Sequence, residues 1–302
     1  MRLGAAIVCA LAAWAGPVAA GDGQTWRVEP HGITFEMTAA DLRAWVGDPK
    51  GTPAFSAAAL LAGERKKFDE YADELARALL APDPPTYGDS NYYEETTVEA
   101  LSIVGPLLVY RESGGGYSPG AAHPSRYAVL KLLDLRRKDA TPSLLDYFSE
   151  KELVAALKAD RWIRKFDNGE GAFKRAGSLK ELLEALDRAF AQGNAEEGDC
   201  RFDVSFDSDG MVQQFYFHHL AGKQVAVRIL VPPASEWCNR ASGEQEIGLL
   251  LPIPAALRED LLKAQDGAGL LAGNRKGGLG KYGGEMWEVD VAELAEKLRK
   301  KK

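Results

Sequence analysis

Two helix-start signals in the middle of the chain, with strand-like segments on both sides, most constrain how this sequence can fold. Each signal, at 149–152 and at 178–181, pairs a serine with a glutamate three residues later. Such a capping box satisfies free backbone N–H groups in the first turn of a helix. We expect these helices to end near Phe166 and Gln192. Strands, then helices, then strands again predict an α+β fold, in which several amphipathic helices pack on an antiparallel sheet.

The strand predictions rest on alternating apolar residues and on turn residues. A short strand pair is predicted over 25–37, and Gly105-Pro106 predicts a bulge or a sheet edge within a β-rich stretch at 96–113. The Asp-Gly end of 207–210 predicts a hairpin turn. Further strands are predicted at 127–135, 201–206, 211–218, 224–231 and 246–253, with a loop at 114–124.

Helical spacing of apolar residues predicts a long amphipathic helix over 56–80, which ends at a cluster of prolines. Thr38 and Asp41 resemble a capping box and predict a brief helix that ends at Trp45. A glycine-rich stretch at 267–284 is predicted to separate the last two helices. Further helices are predicted at 143–148, at 254–264 and after Asp290.

The first twenty residues have the pattern of a secretory signal peptide. Arg2 supplies the positive start, 3–15 is an apolar run too short to span a bilayer, and Val18-Ala19-Ala20 is a small-residue cleavage site. We expect cleavage after Ala20 and a soluble exported protein, periplasmic or secreted. No later segment has the length of an apolar membrane span, so none is predicted.

Export changes what the cysteines mean. Cys9 leaves with the signal peptide, so the mature chain keeps Cys200 and Cys238. An even pair in an oxidising compartment predicts a disulfide bond. A metal site is the alternative, but two cysteines without close spacing or neighbouring histidines do not favour it. We therefore predict neither a metal nor a cofactor.

Four segments carry a family resemblance. They are a strand-like run at 102–110, a Gly-Ala-Ala-His-Pro loop at 120–124, the strand end at 133–135 and a Leu-Asp-containing helix at 144–148. Together they resemble an extracytoplasmic domain family of unknown function, found in lysozyme-sensing anti-sigma factors and beside polysaccharide deacetylase domains. The resemblance covers roughly 91–264. Together with the sequence patterns, it predicts a signal peptide (1–20), an N-terminal segment with the long helix (21–90), a family-like α+β domain (91–266) and a glycine-rich loop with the C-terminal helix (267–302).

His123 is the main candidate for a binding residue. The proline after it favours extended backbone, which holds the imidazole where the loop enters a strand. A binding role would join His123 to Tyr117 and Tyr127. The reading we favour is structural, with the ring fixing the path of the loop through hydrogen bonds. In an enzyme, His123 would act as a base with Asp134 or Asp146.

The other histidines are predicted to form no site. Because neighbouring residues in a strand leave opposite faces, His218 and His219 should point apart, which is poor geometry for a metal. His31 has no evident partner in the sequence. The GxGxxG match at 278–283 lacks a preceding strand and a βαβ unit, so we predict no dinucleotide site.

Charge and the absence of catalytic motifs narrow the function. A formal net charge of -7 argues against nucleic-acid binding. No nucleophile elbow, zinc helix or Cys-His pair occurs, so a binding module is favoured over an enzyme. By resemblance, its partner would be a cell-wall component such as a peptidoglycan fragment, or a cationic secreted protein such as lysozyme. The alternatives are an envelope hydrolase around His123 and a scaffold without a small ligand.

The disulfide prediction can be tested by mass and by reduction. The exported protein should have the mass of residues 21–302 less two hydrogens, because Cys200 and Cys238 are joined. Reduction should lower its free energy of unfolding by about 4 kcal/mol in the chain-entropy model. A double Cys→Ser variant should not respond to reductant. Two free thiols in the exported protein would contradict the prediction.

Overall fold

Antiparallel pairing builds three sheets in the computed structural model, which describes residues 23–28, 31–137, 140–166, 171–197, 208–231, 245–266, 270–274 and 279–301. The first sheet contains, in order, β1 (Gly23–Val28), β2 (Ile33–Thr38), β3 (Leu42–Val46) and β4 (Phe55–Ser56). The second has the order β11-β5-β6-β7, comprising β5 (Asn91–Val104), β6 (Leu107–Tyr117), β7 (Ser125–Asp134) and β11 (Gly280–Asp290). The third has the order β10-β9-β8, comprising β8 (Phe215–Ala221), β9 (Gln224–Val231) and β10 (Gln245–Pro252).

Helices accompany each sheet, and the mixture confirms the predicted α+β class. The α-helices are α1 (Ala57–Ala78), α2 (Glu150–Ala159), α3 (Ala172–Arg175), α4 (Leu179–Glu197), α5 (Ser208–Gln213), α6 (Arg258–Asp266) and α7 (Val291–Lys300). Short 3₁₀ turns cover Leu144–Asp146, Ile163–Phe166, Ala255–Leu257 and Ala272–Asn274. None of the helices in these ranges is both long and apolar enough to cross a membrane.

Strand β5 is the meeting point of distant parts of the chain. It pairs with β6 on one side and with β11 on the other. Helices α1 and α6 and strand β8 also contact it. The backbone N–H of Ile103 donates to the carbonyl of Leu270 (2.9 Å), which brings the segment after α6 to the same strand. The sequence-based boundaries at residues 90 and 266 stay predictions.

An aromatic cluster joins α1 to β5 and to the C-terminal segment. Phe68 of α1 stacks on Tyr92 of β5, with ring centroids 4.5 Å apart, and lies 5.9 Å from Trp287 of β11. Val291 and Ala295 of α7 are buried against the same cluster. The long helix predicted at 56–80 therefore exists, and its apolar face is covered by β5 and by the C-terminal segment.

The brief helix predicted from Thr38 and Asp41 to Trp45 is wrong, because Leu42–Val46 is strand β3. Thr38 Oγ1 accepts hydrogen bonds from the backbone N–H groups of Ala40 and Asp41, which forms a turn into β3. The carboxylate of Asp41 is buried and accepts from the Ser56 hydroxyl (2.9 Å) and the Ala58 N–H (2.8 Å). Asp41 thus accepts a hydrogen bond from an otherwise free N–H group in the first turn of α1. Its own segment, β3, is a strand because it pairs with β2 on one side and with β4 on the other.

The predictions for two segments that contain glycine also need correction. Gly105-Pro106 forms neither a bulge nor an edge but the two-residue turn between β5 and β6, because Val104 pairs with Leu107 and Gly105 has a φ of 56°. The end of the glycine-rich stretch at 267–284 belongs to β11. The glycines resemble a loop in the sequence, but here they let the backbones of β11 and β5 approach closely. A Cβ on Gly283 would overlap the carbonyl oxygen of Thr96.

The hairpin predicted at 207–210 is also wrong. Ser208–Gln213 is helical, and β8 begins only at Phe215. The strand predicted at 201–206 lies outside the described residues. Helix α2 ends at Ala159 rather than near Phe166, because Asp160 is extended (ψ 135°) and its side chain accepts from the N–H groups of Trp162 and Ile163.

His31 has partners that its sequence context does not reveal. Its Nε2 lies 2.9 Å from Oδ2 of Asp260 on α6, and Nη1 of Arg136 lies 3.2 Å from its Nδ1. Asp134, at the end of β7, accepts from Nε of Arg137 (2.7 Å). His31 therefore connects the turn between β1 and β2 to α6 through Asp260, and to the end of β7 through Arg136. These contacts lie beside Gly105, in the turn between β5 and β6.

Substituting Gly105 tests this packing. In Gly105→Ala the new methyl group would overlap the carboxyl group of Asp260, in addition to the strain of a positive φ. Gly222→Ala is the matched control, because Gly222 has a φ of 63° in the β8–β9 turn but no atom within 4 Å of the added Cβ. We expect the control to lose about 1 kcal/mol and Gly105→Ala to lose about 2 kcal/mol more in urea unfolding. Equal losses would contradict the proposed crowding.

Candidate functional site

The tyrosines predicted as binding residues lie on neighbouring strands but on opposite faces. Tyr127 of β7 is opposite Gly114 of β6, and its hydroxyl lies 3.3 Å from Oγ1 of Thr96. Tyr117 is three residues beyond Gly114, so alternation turns its ring to the other face, where it stacks on Tyr93 with centroids 6.1 Å apart. Burial raises the pKa of Tyr127. The two rings therefore do not form one surface.

His123 lies in the loop before β7, half-buried, with Nδ1 3.3 Å from the carbonyl oxygen of Pro124. Neither carboxylate considered as its partner is brought to it. Asp134 is at the opposite end of β7, about 30 Å away at the usual rise per strand residue. Asp146 accepts from the Ser143 N–H (2.8 Å) in the capping box of its own turn.

The remaining predicted site residues cannot be placed. Cys200 and Cys238 lie outside the described residues, so their disulfide stays a prediction, as does the signal peptide. Within the described ranges no cluster of three or more potential metal ligands occurs.

A cavity of about 600 Å³ lies against the third sheet. All three strands contribute to it, and the segment that follows α2 forms another wall. Apolar and polar groups therefore converge on one open space. Its lining residues are Asp160, Arg161, Trp162, Lys165, His219, Ala221, Ala226, Arg228, Glu246, Gly248, Leu249 and Leu250.

A β-bulge brings both neighbouring histidines to this face of the sheet, which corrects the expectation that they point apart. Phe217 pairs with Val227 but His219 pairs with Ala226, so β8 contains one extra residue. Alternation restarts after the bulge, and His219 joins the face that carries Ala226 and Arg228. The Nδ1 atoms of His218 and His219 lie 2.7 Å apart. One imidazole therefore donates to the other.

The carboxylates of the cavity are already engaged. Glu246 accepts from Nη2 of Arg111 (2.5 Å) and from the Tyr216 hydroxyl (3.1 Å). Burial, and then the negative charge of Glu246, raise the pKa of Tyr216, so this hydroxyl stays a donor. Asp160 accepts from two backbone N–H groups at the start of the following turn. The lining also contains Arg161, Lys165 and Arg228, and of its two carboxylates Glu246 is paired with Arg111, so the net charge of the described lining residues is positive.

Sequence reasoning missed this cavity for a physical reason. Its lining combines strands β8, β9 and β10 with the loop after α2, which is far from them in the chain. The bulge that turns His219 toward the cavity has no signature in the sequence. One signal was available: Arg228 is a single charged residue within the otherwise apolar run Val225–Val231. A buried-strand pattern interrupted by one arginine indicates a group that needs a polar environment.

Comparison with known proteins adds little to this picture. No family model matches the sequence, and no curated protein matches it. The crystal structure of a member of the DUF3298 family from Bacteroides fragilis is similar over 56% of this chain and 54% of its own, at 17% identity and a TM-score of 0.25. The match thus spans about half of that chain. It bears on neither ligand nor partner.

The pH dependence of stability tests the environment of His218. Burial, then the charges of Arg228 and His219, hold the pKa of His218 below its ordinary value of 6.5. The unfolded state therefore binds a proton more readily than the folded state, and stability should fall as the pH is lowered below about 6.5. Urea unfolding of His218→Gln should show a shallower fall. Equal slopes in His218→Gln and in the unsubstituted protein would refute this assignment.

Proposed function

We propose that this chain is an exported binding module of the cell envelope and that the cavity holds a small envelope ligand, such as a cell-wall fragment. The observation that carries the proposal is the convergence of an indole, an imidazole and a guanidinium on one open space of about 600 Å³. Small-molecule sites usually measure about 300–1,000 Å³ and combine apolar walls with a few polar groups. The predicted signal peptide supports the location.

Binding is a better account than hydrolysis around His123. A base needs a nearby group that orients it and a reacting atom within hydrogen-bond reach. Asp134 is engaged by Arg137 at the far end of β7, and Asp146 is engaged by Ser143. A cationic protein such as lysozyme would gain from the acidity of the whole chain. The cavity itself favours a different partner, because the net charge of its described lining residues is positive.

Ligand titration of two variants tests the location of the site. The purified protein is titrated with soluble cell-wall fragments and, separately, with lysozyme, by calorimetry. Trp162→Ala should weaken fragment binding by about tenfold or more, since an aromatic wall residue commonly contributes more than 1 kcal/mol. Tyr117→Ala, in the site predicted from the sequence, should leave binding unchanged.

A second cavity variant guards against misfolding. Trp162 also packs on the hydrophobic core, so its loss can lower stability. Ala221 is exposed at the rim, and Ala221→Phe fills the space without touching the core. Weaker binding in both cavity variants supports the proposal. If only Tyr117→Ala loses fragment binding, the site lies at Tyr117 and the neighbouring loop. If the protein binds lysozyme but no fragment, a protein partner is favoured. If it binds no fragment at all, the cavity is refuted as a site.

A further inference from the structure

We infer that the ligand of this cavity bears a carboxylate and that Arg228 and His219 hold it. This inference rests on the proposed function, and it adds the chemical class of the ligand. Three features support it: the position of the guanidinium, the engagement of the nearby acids and the geometry of the histidine pair.

Arg228 lies at the centre of the third sheet. It lies on the middle strand β9, where it pairs with Gly248 on one side and with Tyr216 on the other. Within the described part of the chain no carboxylate forms an ion pair with Arg228. A half-buried guanidinium is partly desolvated, so an anion supplied from outside would be bound with a larger gain than at an open surface.

Gly248 keeps the guanidinium accessible. A Cβ at this position would lie 3.0 Å from Nη1 and 3.3 Å from Cζ of Arg228, so any side chain there would press on the group. Because Gly248 has no side chain, the planar guanidinium of Arg228 can lie across β10 at the floor of the cavity. A fork of N–H donors matches the two oxygens of a carboxylate, which accept from it in a bidentate manner.

The acids nearby do not compete for this position. Glu246 is bound to Arg111 and Tyr216, and Asp160 accepts from backbone N–H groups. Arg161 and Lys165 add two further cations to the opposite wall. An acidic protein thus has a locally positive cavity, which selects an anion over the neutral molecules that would fit the same space.

The histidine pair supplies a second donor. Since Nδ1 of His218 and Nδ1 of His219 share one hydrogen bond, the histidine that accepts at Nδ1 carries its proton on Nε2. When His219 is the acceptor, its Nε2–H is free to donate into the cavity that it lines. An anion at Arg228 favours this arrangement. The adjacent Trp162 offers an apolar face for the ring that carries the carboxylate, as in an acidic sugar.

Matched pairs of sugars test the inference. The purified protein is titrated with N-acetylmuramic acid and with N-acetylglucosamine, which lacks the lactyl carboxylate, and with glucuronic acid and glucose. We expect each acid to bind about tenfold or more tightly than its neutral counterpart. Arg228→Gln should remove this preference, so that each acid binds no more tightly than its neutral counterpart.

The control variant removes the same charge nearby. Arg164 is exposed in the turn after α2 and does not line the cavity. Arg164→Gln should retain the preference for acids, which separates direct contact from the long-range effect of charge. Arg228→Lys keeps the charge without the fork and should show an intermediate preference. Gly248→Ala adds a methyl group against the guanidinium of Arg228 and should also reduce the preference for acids. This variant keeps the inference testable if Arg228→Gln does not fold.

The possible failures are distinguishable. Equal binding of acids and neutral sugars would refute the carboxylate inference and leave the cavity as a ligand site. An acid preference that survives in Arg228→Gln would refute the role of Arg228. No binding of any sugar or cell-wall fragment, with a normal melting temperature, would refute the proposed function itself.

Discussion

Backbone pairing along β5 is the interaction on which the rest of the described structure depends. Its fourteen residues exchange hydrogen bonds with β6 and with β11, and its side chains contact α1 and α6. The strand is mostly buried toward its C-terminal end, where Ala100, Ile103 and Val104 enter the main hydrophobic core. Near its N-terminal end, Tyr92 stacks on Phe68 of α1, so the strand also supports the contact between α1 and β11.

A single extra residue has a comparable effect on the third sheet. Because side chains alternate along a strand, inserting one residue moves every following side chain to the other face. The bulge at His218 stops the apolar alternation of Phe215 and Phe217 and directs His219 toward Arg228. The same sheet therefore has one face that is almost wholly apolar and one face that can hold a charged group.

Local signals predicted local structure well. Ser149 with Glu152 and Ser56 before the long helix specify helix starts through short-range hydrogen bonds, and both occur where expected. Thr38 with Asp41 misled because the same side chains can cap a helix or close a turn, and only the neighbouring strands β2 and β4 decide between them. The α+β class followed from the order of segments.

The candidate site was much less predictable, since long-range contacts define it. The stacking of Tyr117 on Tyr93 rather than beside Tyr127 depends on sheet register, and the meeting of Arg228 with Gly248 depends on strand pairing across the segment 232–244. No spacing rule along the chain encodes such contacts. A lone arginine in an apolar strand was the one trace that they left in the sequence.

The position of β11 also determines when the second sheet can be completed. A chain grows from its N-terminus, so β5, β6 and β7 are available long before Gly280–Asp290. Until then β5 presents an unpaired edge, with free backbone donors and acceptors that invite pairing with another chain. Pairing with β11 therefore removes this edge late in synthesis, and α7 then packs on α1.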